Sequence, residues 1–200
     1  MTPPAENVHW LFATLLLGFG LCLLARAIVG ETLWNGSTWR RYLLPTVLFG
    51  IGAAMWPVTV FFVVSPIHML AHTSWAQLMM LAGIAQLGLV VGRLTSRWWN
   101  LLVPLALSVS GAMFVIHERN PWLFMRSSFL HHLIGWTLII GSLLPLALVF
   151  RPRSTVLSAG FAGLAIAVSV MLYADRDLAP IFGHLSPLAG TKPAVTEVQP

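Results

Sequence analysis

Six apolar stretches of about twenty residues constrain this chain more than any other feature of its sequence. They cover approximately residues 8–29, 42–64, 70–92, 98–117, 128–150 and 154–174. The interiors of the last five contain no Asp, Glu, Lys or Arg, and the first contains only Arg26, about one turn from its end. A bilayer core needs about 20 apolar residues per helix. The sequence therefore predicts an all-α fold, a polytopic membrane helix bundle with six transmembrane helices.

Composition supports lipid as the solvent of this chain. Only 8% of its residues are charged and 58% are hydrophobic, whereas a soluble domain carries roughly 25% charged residues. The net charge of +5 does not indicate nucleic-acid binding, because the basic residues are scattered over short loops and form no stripe or patch. The single cysteine, Cys22, lies inside an apolar stretch and excludes an internal disulfide.

Charge at the span ends predicts the orientation. We call the face at which the first span begins face A, and the opposite face, face B. Face B receives seven basic residues and one acid: Arg26, Arg40, Arg41, Arg93, Arg97, Arg151, Arg153 and Glu31. Face A receives four basic residues and five acids: Arg119, Arg126, Arg176, Lys192, Glu6, Glu118, Asp175, Asp177 and Glu197. Basic loops stay in the cytoplasm, so face B is predicted to be cytoplasmic and both termini to lie outside, as in a bacterial inner-membrane protein.

The chain divides by composition into two parts. Residues 1–177 form the predicted six-helix transmembrane domain. Residues 178–200 are rich in Pro, Gly and Ala and are expected to form a largely irregular tail on the non-cytoplasmic side.

The histidines are distributed on one side only. All seven lie at face A or in the part of a span next to it: His9, His68, His72, His117, His131, His132 and His184. Five of them fall at the face-A ends of spans three, four and five. Neutral imidazole is a good ligand for copper, zinc and haem iron, so this concentration predicts a metal site at face A.

Spacing within this set selects the candidate ligands. His68 and His72 are four residues apart, which places them on one helix face if the helix begins by Ile67; Pro66 suits the first helical position. His131 and His132 diverge by about 100° on a helix, so only one of them points inward. The candidate metal ligands are His68, His72, His117, His131, His132 and Met69. Met113 and Met125 are further thioethers at a similar depth, and thioether sulfur favours Cu(I).

The segment HMLAH at residues 68–72, opening a helix, resembles the HMxxH signature of CtaG-type cytochrome c oxidase assembly proteins. Residues 117–124 (HERNPWLF) followed by LHHL at residues 130–133 look like the same family's histidine near a proline and its next histidine-bearing helix. More loosely, the chain is similar to CopD-type copper-resistance membrane proteins. The resemblance spans helices three to five and implies copper handling at the outer face, with a respiratory oxidase or another membrane complex as partner.

Imidazole also suits other functions, which stay open at this point. A haem-b subunit of a redox complex would use His72 with His131 or His132 as axial ligands, at a single site near face A. A cofactor-free accessory subunit would use the histidines and tryptophans to contact a partner. No motif of hydrolytic catalysis is present, so we expect a metal-handling or accessory protein and not an enzyme.

The remaining polar residues are given lesser roles. His9 and His184 are interpreted as bystanders to the metal site. The acidic cluster at residues 175–177 is interpreted as interfacial charge at the end of span six, and Glu118 as either an orienting partner of a histidine or a solvated carboxylate.

Overall fold

The computed structural model describes residues 5–62, 66–117 and 127–175, and these residues form helices joined by short turns. Six helical segments are long and apolar enough to cross a membrane, which confirms the predicted fold class. The α-helices are α1 (Ala5–Val29), α2 (Glu31–Asn35), α3 (Arg40–Phe62), α4 (Pro66–Val90), α5 (Leu102–His117), α6 (Ser127–Gly141), α7 (Leu143–Phe150) and α8 (Thr155–Ala174). A 3-10 helix, Arg97–Leu101, leads directly into α5.

The fifth span is interrupted, although its sequence predicted one continuous helix. It consists of α6 and α7, which meet at Ser142. Pro145 has no backbone N–H, and its ring clashes with the carbonyl four residues earlier, that of Gly141. The Ser142 hydroxyl donates to the Ile139 carbonyl at 2.7 Å and accepts from the Ser108 hydroxyl at 2.9 Å. The Ser142 hydroxyl therefore links the last turn of α6 to α5 at the break.

Two turns at face B depend on glycine. Gly30, with φ of +88°, separates α1 from the short helix α2, which sequence reasoning had treated as part of a loop. Gly92, with φ of +75°, ends α4, and the Arg93 N–H then donates to the Gly88 carbonyl at 2.9 Å. Positive φ is costly for residues with a Cβ, so both positions require glycine.

The spans form a closed ring in chain order. α1 packs against α3, α3 against α4, α4 against α5, α5 against α6, α6 and α7 against α8, and α8 against α1. The centre of the ring is apolar: all six spans contribute to the lining of a void of about 20 Å³, among them Phe19, Leu48, Met79, Leu107, Leu138 and Val168. Since the number of spans is even, α1 begins and α8 ends at the same face, face A.

Candidate metal centre

Three side chains converge where the first, fifth and sixth spans meet at face A. His9 lies near the start of α1, His131 lies near the start of α6, and Asp175 directly follows α8. The Asp175 Oδ2 atom lies 3.4 Å from the His9 Nδ1 atom and 3.6 Å from the His131 Nδ1 atom. One ligand atom from each residue lies within 4.8 Å of the other two. We call these three residues the face-A cluster.

Burial makes this carboxylate unusual. Asp175 is 1% exposed and His131 is 3% exposed, while the His9 side chain keeps 19% of its surface accessible. A carboxylate removed from water carries a large desolvation penalty unless it is paired with positive charge or bound to a metal. Two imidazoles, which become cationic on protonation and ligate metals when neutral, lie 3.4 and 3.6 Å from this buried carboxylate.

Contacts between α1 and α8 align His9 with Asp175. The Ser169 hydroxyl donates to the Ala13 carbonyl at 2.7 Å, and the Thr14 and Tyr173 hydroxyls share a hydrogen bond of 2.7 Å. Because the two helices are antiparallel, these bonds fix how far one helix is displaced along the other. The start of α1 is thereby held against the end of α8.

His131 is positioned by a close approach between α5 and α6. A Cβ atom on Gly135 would lie 2.7 Å from the Gly111 carbonyl oxygen, and one on Gly111 would lie 2.5 Å from the Gly135 carbonyl oxygen. Only glycine allows the two backbones to pack at this distance. One turn closer to face A, the Phe114 ring packs on the His131 ring with centroids 5.4 Å apart. The orientation of this imidazole is therefore set by its neighbouring span.

The His9 and His131 rings also touch each other. Their centroids are 5.8 Å apart and their planes are inclined by 66°, an edge-to-face arrangement. The cluster consequently offers two imidazole nitrogens and one carboxylate oxygen at a single point. Such nitrogen and oxygen donors suit borderline divalent ions such as Zn²⁺ and Cu²⁺.

The structure resolves which of the two adjacent histidines points inward. His131 is buried in the bundle and belongs to the face-A cluster, whereas His132 is half-buried and, among the described residues, is not part of it. The sequence had left this choice open between the two.

His72 lies at a similar depth, but among the described residues its ring nitrogens do not join the three donor atoms that lie within 4.8 Å of one another. Helix α4 begins at Pro66, as predicted, so residues 68 and 72 do lie one turn apart on a helix. The Trp75 ring packs against the Phe12 ring with centroids 5.1 Å apart. His72 and His9 each lie one turn toward face A from this pair, which places His72 beside the cluster and not within it.

The other predicted ligands are not tested by the structure. The side chains of His68 and His117 lie outside the described residues, as do Glu118, Met125 and the tail from residue 178 onward. Met69 is described and is 51% exposed.

Sequence reasoning missed two of the three residues in the face-A cluster. His9 had been interpreted as a bystander and Asp175 as surface charge, yet the structure brings both against His131. The sequence did place both residues at span ends: His9 falls in the first turns of the first span, and Asp175 is the first acidic residue after the sixth. These positions do not show which spans are neighbours in the fold.

Fold and site together define a polytopic helical membrane protein with a histidine–carboxylate cluster at one end of its bundle. No protein-family model, curated protein or solved structure matches the chain.

Proposed function

We propose that this protein binds a divalent transition-metal ion through His9, His131 and Asp175 and handles that metal at the non-cytoplasmic face of the membrane. The observation that carries the proposal is the buried Asp175 carboxylate, which faces two imidazole nitrogens at 3.4 and 3.6 Å. A bound cation would be ligated by the carboxylate and by both nitrogens.

Distances within the cluster support this use. Metal–ligand bonds of about 2.0–2.2 Å in tetrahedral geometry separate neighbouring ligand atoms by roughly 3.3–3.6 Å. The two measured nitrogen–oxygen distances of 3.4 and 3.6 Å correspond to edges of such a tetrahedron. Three protein ligands leave one position for water or for a ligand that exchanges, which suits a site that accepts and releases its ion.

Copper is the first metal to test, with Zn²⁺, for which tetrahedral coordination is usual, as the comparison. For nitrogen and oxygen donors, affinity rises to Cu²⁺ and then falls at Zn²⁺ in the Irving–Williams order. The cluster holds no thioether, so it favours Cu²⁺ over the Cu(I) suggested by the methionines near face A. The resemblance to CtaG-type and CopD-type proteins points to copper as well, and a role in respiratory oxidase assembly remains a prediction from that resemblance.

The predicted orientation indicates on which side of the membrane the face-A cluster lies. Face B carries most of the basic residues at span ends, and the positive-inside rule assigns that face to the cytoplasm. The face-A cluster would then meet metal ions in the periplasm of a bacterial cell.

Haem b is a weaker candidate for this site. A haem iron takes at most two axial ligands from the protein, whereas the face-A cluster converges three donor groups and includes a carboxylate. The cofactor-free accessory role stays a prediction, and the same experiment separates it from metal binding.

Metal counting on matched histidine variants tests the proposal. The full-length protein, purified in non-ionic detergent without chelators, would be incubated with Cu²⁺ or Zn²⁺, desalted and assayed by mass spectrometry for metal content. We expect a single tightly held ion in the parent protein and in His132→Ala, and loss of that ion in His131→Ala.

These two variants are well matched because they remove the same side chain from adjacent positions of α6. Equal metal content in His131→Ala and in the parent would refute the site. A metal-free parent protein would favour the accessory role, and a Soret band in its absorption spectrum would favour haem.

A further inference from the structure

The opposite end of the ring opens into a large cavity. At face B a space of about 620 Å³ is lined by residues from all six spans. Small-molecule sites in proteins typically enclose about 300–1,000 Å³. We call this space the face-B vestibule.

Three of the four charged residues that line the vestibule are arginines. Arg26, Arg41 and Arg97 line it, together with Glu31 as the carboxylate. Three positive charges and one negative charge leave a net charge of +2. Arg26 is paired with Glu31 at 2.7 Å, so Arg41 and Arg97 carry the excess.

Arg41 is half-buried and lines the vestibule. Its Nε atom is buried and has no hydrogen-bond partner among the described residues. Its guanidinium lies over the Tyr42 ring, 4.8 Å from the centroid. Within the described ranges 5–62, 66–117 and 127–175, neither Arg41 nor Arg97 has a carboxylate partner. A buried guanidinium N–H without an acceptor is costly and marks a place where a ligand can supply one.

The floor of the vestibule is apolar. Phe19, Leu48 and Phe161 line both the vestibule and the small void at the centre of the ring. Seven residues separate Arg41 from Leu48 on α3, which corresponds to roughly 10 Å along a helix that rises about 1.5 Å per residue. The vestibule therefore has a cationic entrance and an apolar floor. The distance between them is about the length of a short alkyl chain.

We propose that the face-B vestibule binds a single-chain anionic amphiphile. Its carboxylate or phosphate group accepts hydrogen bonds from Arg41 and Arg97, because guanidinium groups match the planar geometry of such anions. Its alkyl chain lies on Phe19, Leu48 and Phe161. Neither half of the ligand is sufficient, since a small anion leaves the floor empty and an uncharged chain leaves the guanidinium groups without an acceptor.

Equilibrium dialysis of radiolabelled octyl phosphate tests this proposal. The full-length protein would be placed in nanodiscs of phosphatidylcholine, which carries no net charge, and empty nanodiscs would give the background partitioning. We expect saturable binding that Arg41→Gln weakens by at least about tenfold, as for other hydrogen bonds to charged groups. Octanol and inorganic phosphate should each compete at least about tenfold less well than unlabelled octyl phosphate.

Arg40→Gln is the matched control, since Arg40 begins the same helix, lies over the Trp39 ring and does not line the vestibule. It should bind octyl phosphate like the parent. Arg97→Gln provides a second lining variant should Arg41→Gln fail to fold. Non-saturable uptake, equal binding by the lining and control variants, or inorganic phosphate competing as well as octyl phosphate would each overturn the proposal.

Discussion

The two ends of the helix ring differ in the sign of their charged groups and in the space around them. At face A the helices close around one carboxylate and two imidazoles, with Asp175 only 1% exposed. At face B three arginines line a cavity of about 620 Å³. Between the two ends lies an apolar centre formed by all six spans.

The difference indicates that the face-A cluster suits a small ion and that the face-B vestibule suits a larger ligand. The face-A cluster is narrow, and its carboxylate oxygen lies 3.4 and 3.6 Å from the two imidazole nitrogens. The vestibule is wide, and its polar groups stand above an apolar floor. Because the centre is apolar, each end should bind its ligand independently of the other.

The largest effect is expected from Asp175→Asn. The substitution keeps the shape of the side chain but removes its charge, so we expect the affinity for Cu²⁺ to fall at least about 100-fold, because even orienting partners of metal ligands contribute 10- to 100-fold. Competition with a chelator of known affinity measures this change.

Binding of octyl phosphate at the opposite end should be unchanged in the same variant, and Glu31→Gln at face B should leave the copper affinity intact. If Asp175→Asn lost both copper binding and octyl phosphate binding, the two ends would not be independent.

A second prediction concerns His9, which the structure includes in the cluster, and His72, which it does not. His9→Ala should weaken copper binding about 10- to 100-fold, since it removes one of three ligands. His72→Ala should change the affinity less than about threefold, as expected for a residue outside the ligand set. The same chelator competition distinguishes them, and the reverse order would restore the site predicted from the His68 and His72 spacing.

The third prediction tests the packing that positions His131. In Gly135→Ala the added Cβ would lie 2.6 Å from Val115 Cγ2 and 2.7 Å from the Gly111 carbonyl oxygen. Overpacking of this kind costs about 1–3 kcal/mol, so we expect a lower melting temperature and weaker metal binding.

Gly163→Ala in α8 is the control, because nothing lies within 4 Å of a Cβ at that position. It should be neutral or slightly stabilising, since alanine is the better helix former by about 0.5–1 kcal/mol. Equal melting temperatures for the two variants would contradict the close approach of α5 and α6.

The smallest effect is expected from Ser169→Ala. Its hydroxyl donates to the Ala13 carbonyl at 2.7 Å, and hydrogen bonds between membrane helices contribute on average about 0.6 kcal/mol. A melting temperature within a few degrees of the parent, with copper binding retained, is the expected result. Loss of the folded state would show that this hydrogen bond contributes far more to stability than hydrogen bonds between membrane helices do on average.

The spans could be predicted from sequence because a local run of about twenty apolar residues is enough to identify each one. The interruption at Ser142 was missed, since a proline inside an apolar stretch does not by itself show whether a membrane helix kinks or breaks. The burial of His131 in preference to His132 could not be predicted either. Adjacent residues on a helix differ only in direction, and the inward direction depends on where the neighbouring spans lie.

The cluster itself required the order of spans around the ring. His9 and Asp175 are separated by nearly the whole described chain, and nothing in the local sequence around either indicates the other. They meet because an even number of spans returns the chain to face A and because α8 closes the ring against α1. Of the three residues in the face-A cluster, the sequence singled out His131 as a candidate ligand, and the ring closure brings His9 and Asp175 to it.

X-ray absorption spectroscopy at the metal edge of the copper-loaded protein would identify the atoms bound to the ion. We expect a first shell of nitrogen and oxygen at about 2.0–2.2 Å, with scattering from two imidazoles and no sulfur shell near 2.3 Å. A sulfur shell, a single imidazole, or a spectrum unchanged by Asp175→Asn would contradict the assignment of the ion to His9, His131 and Asp175.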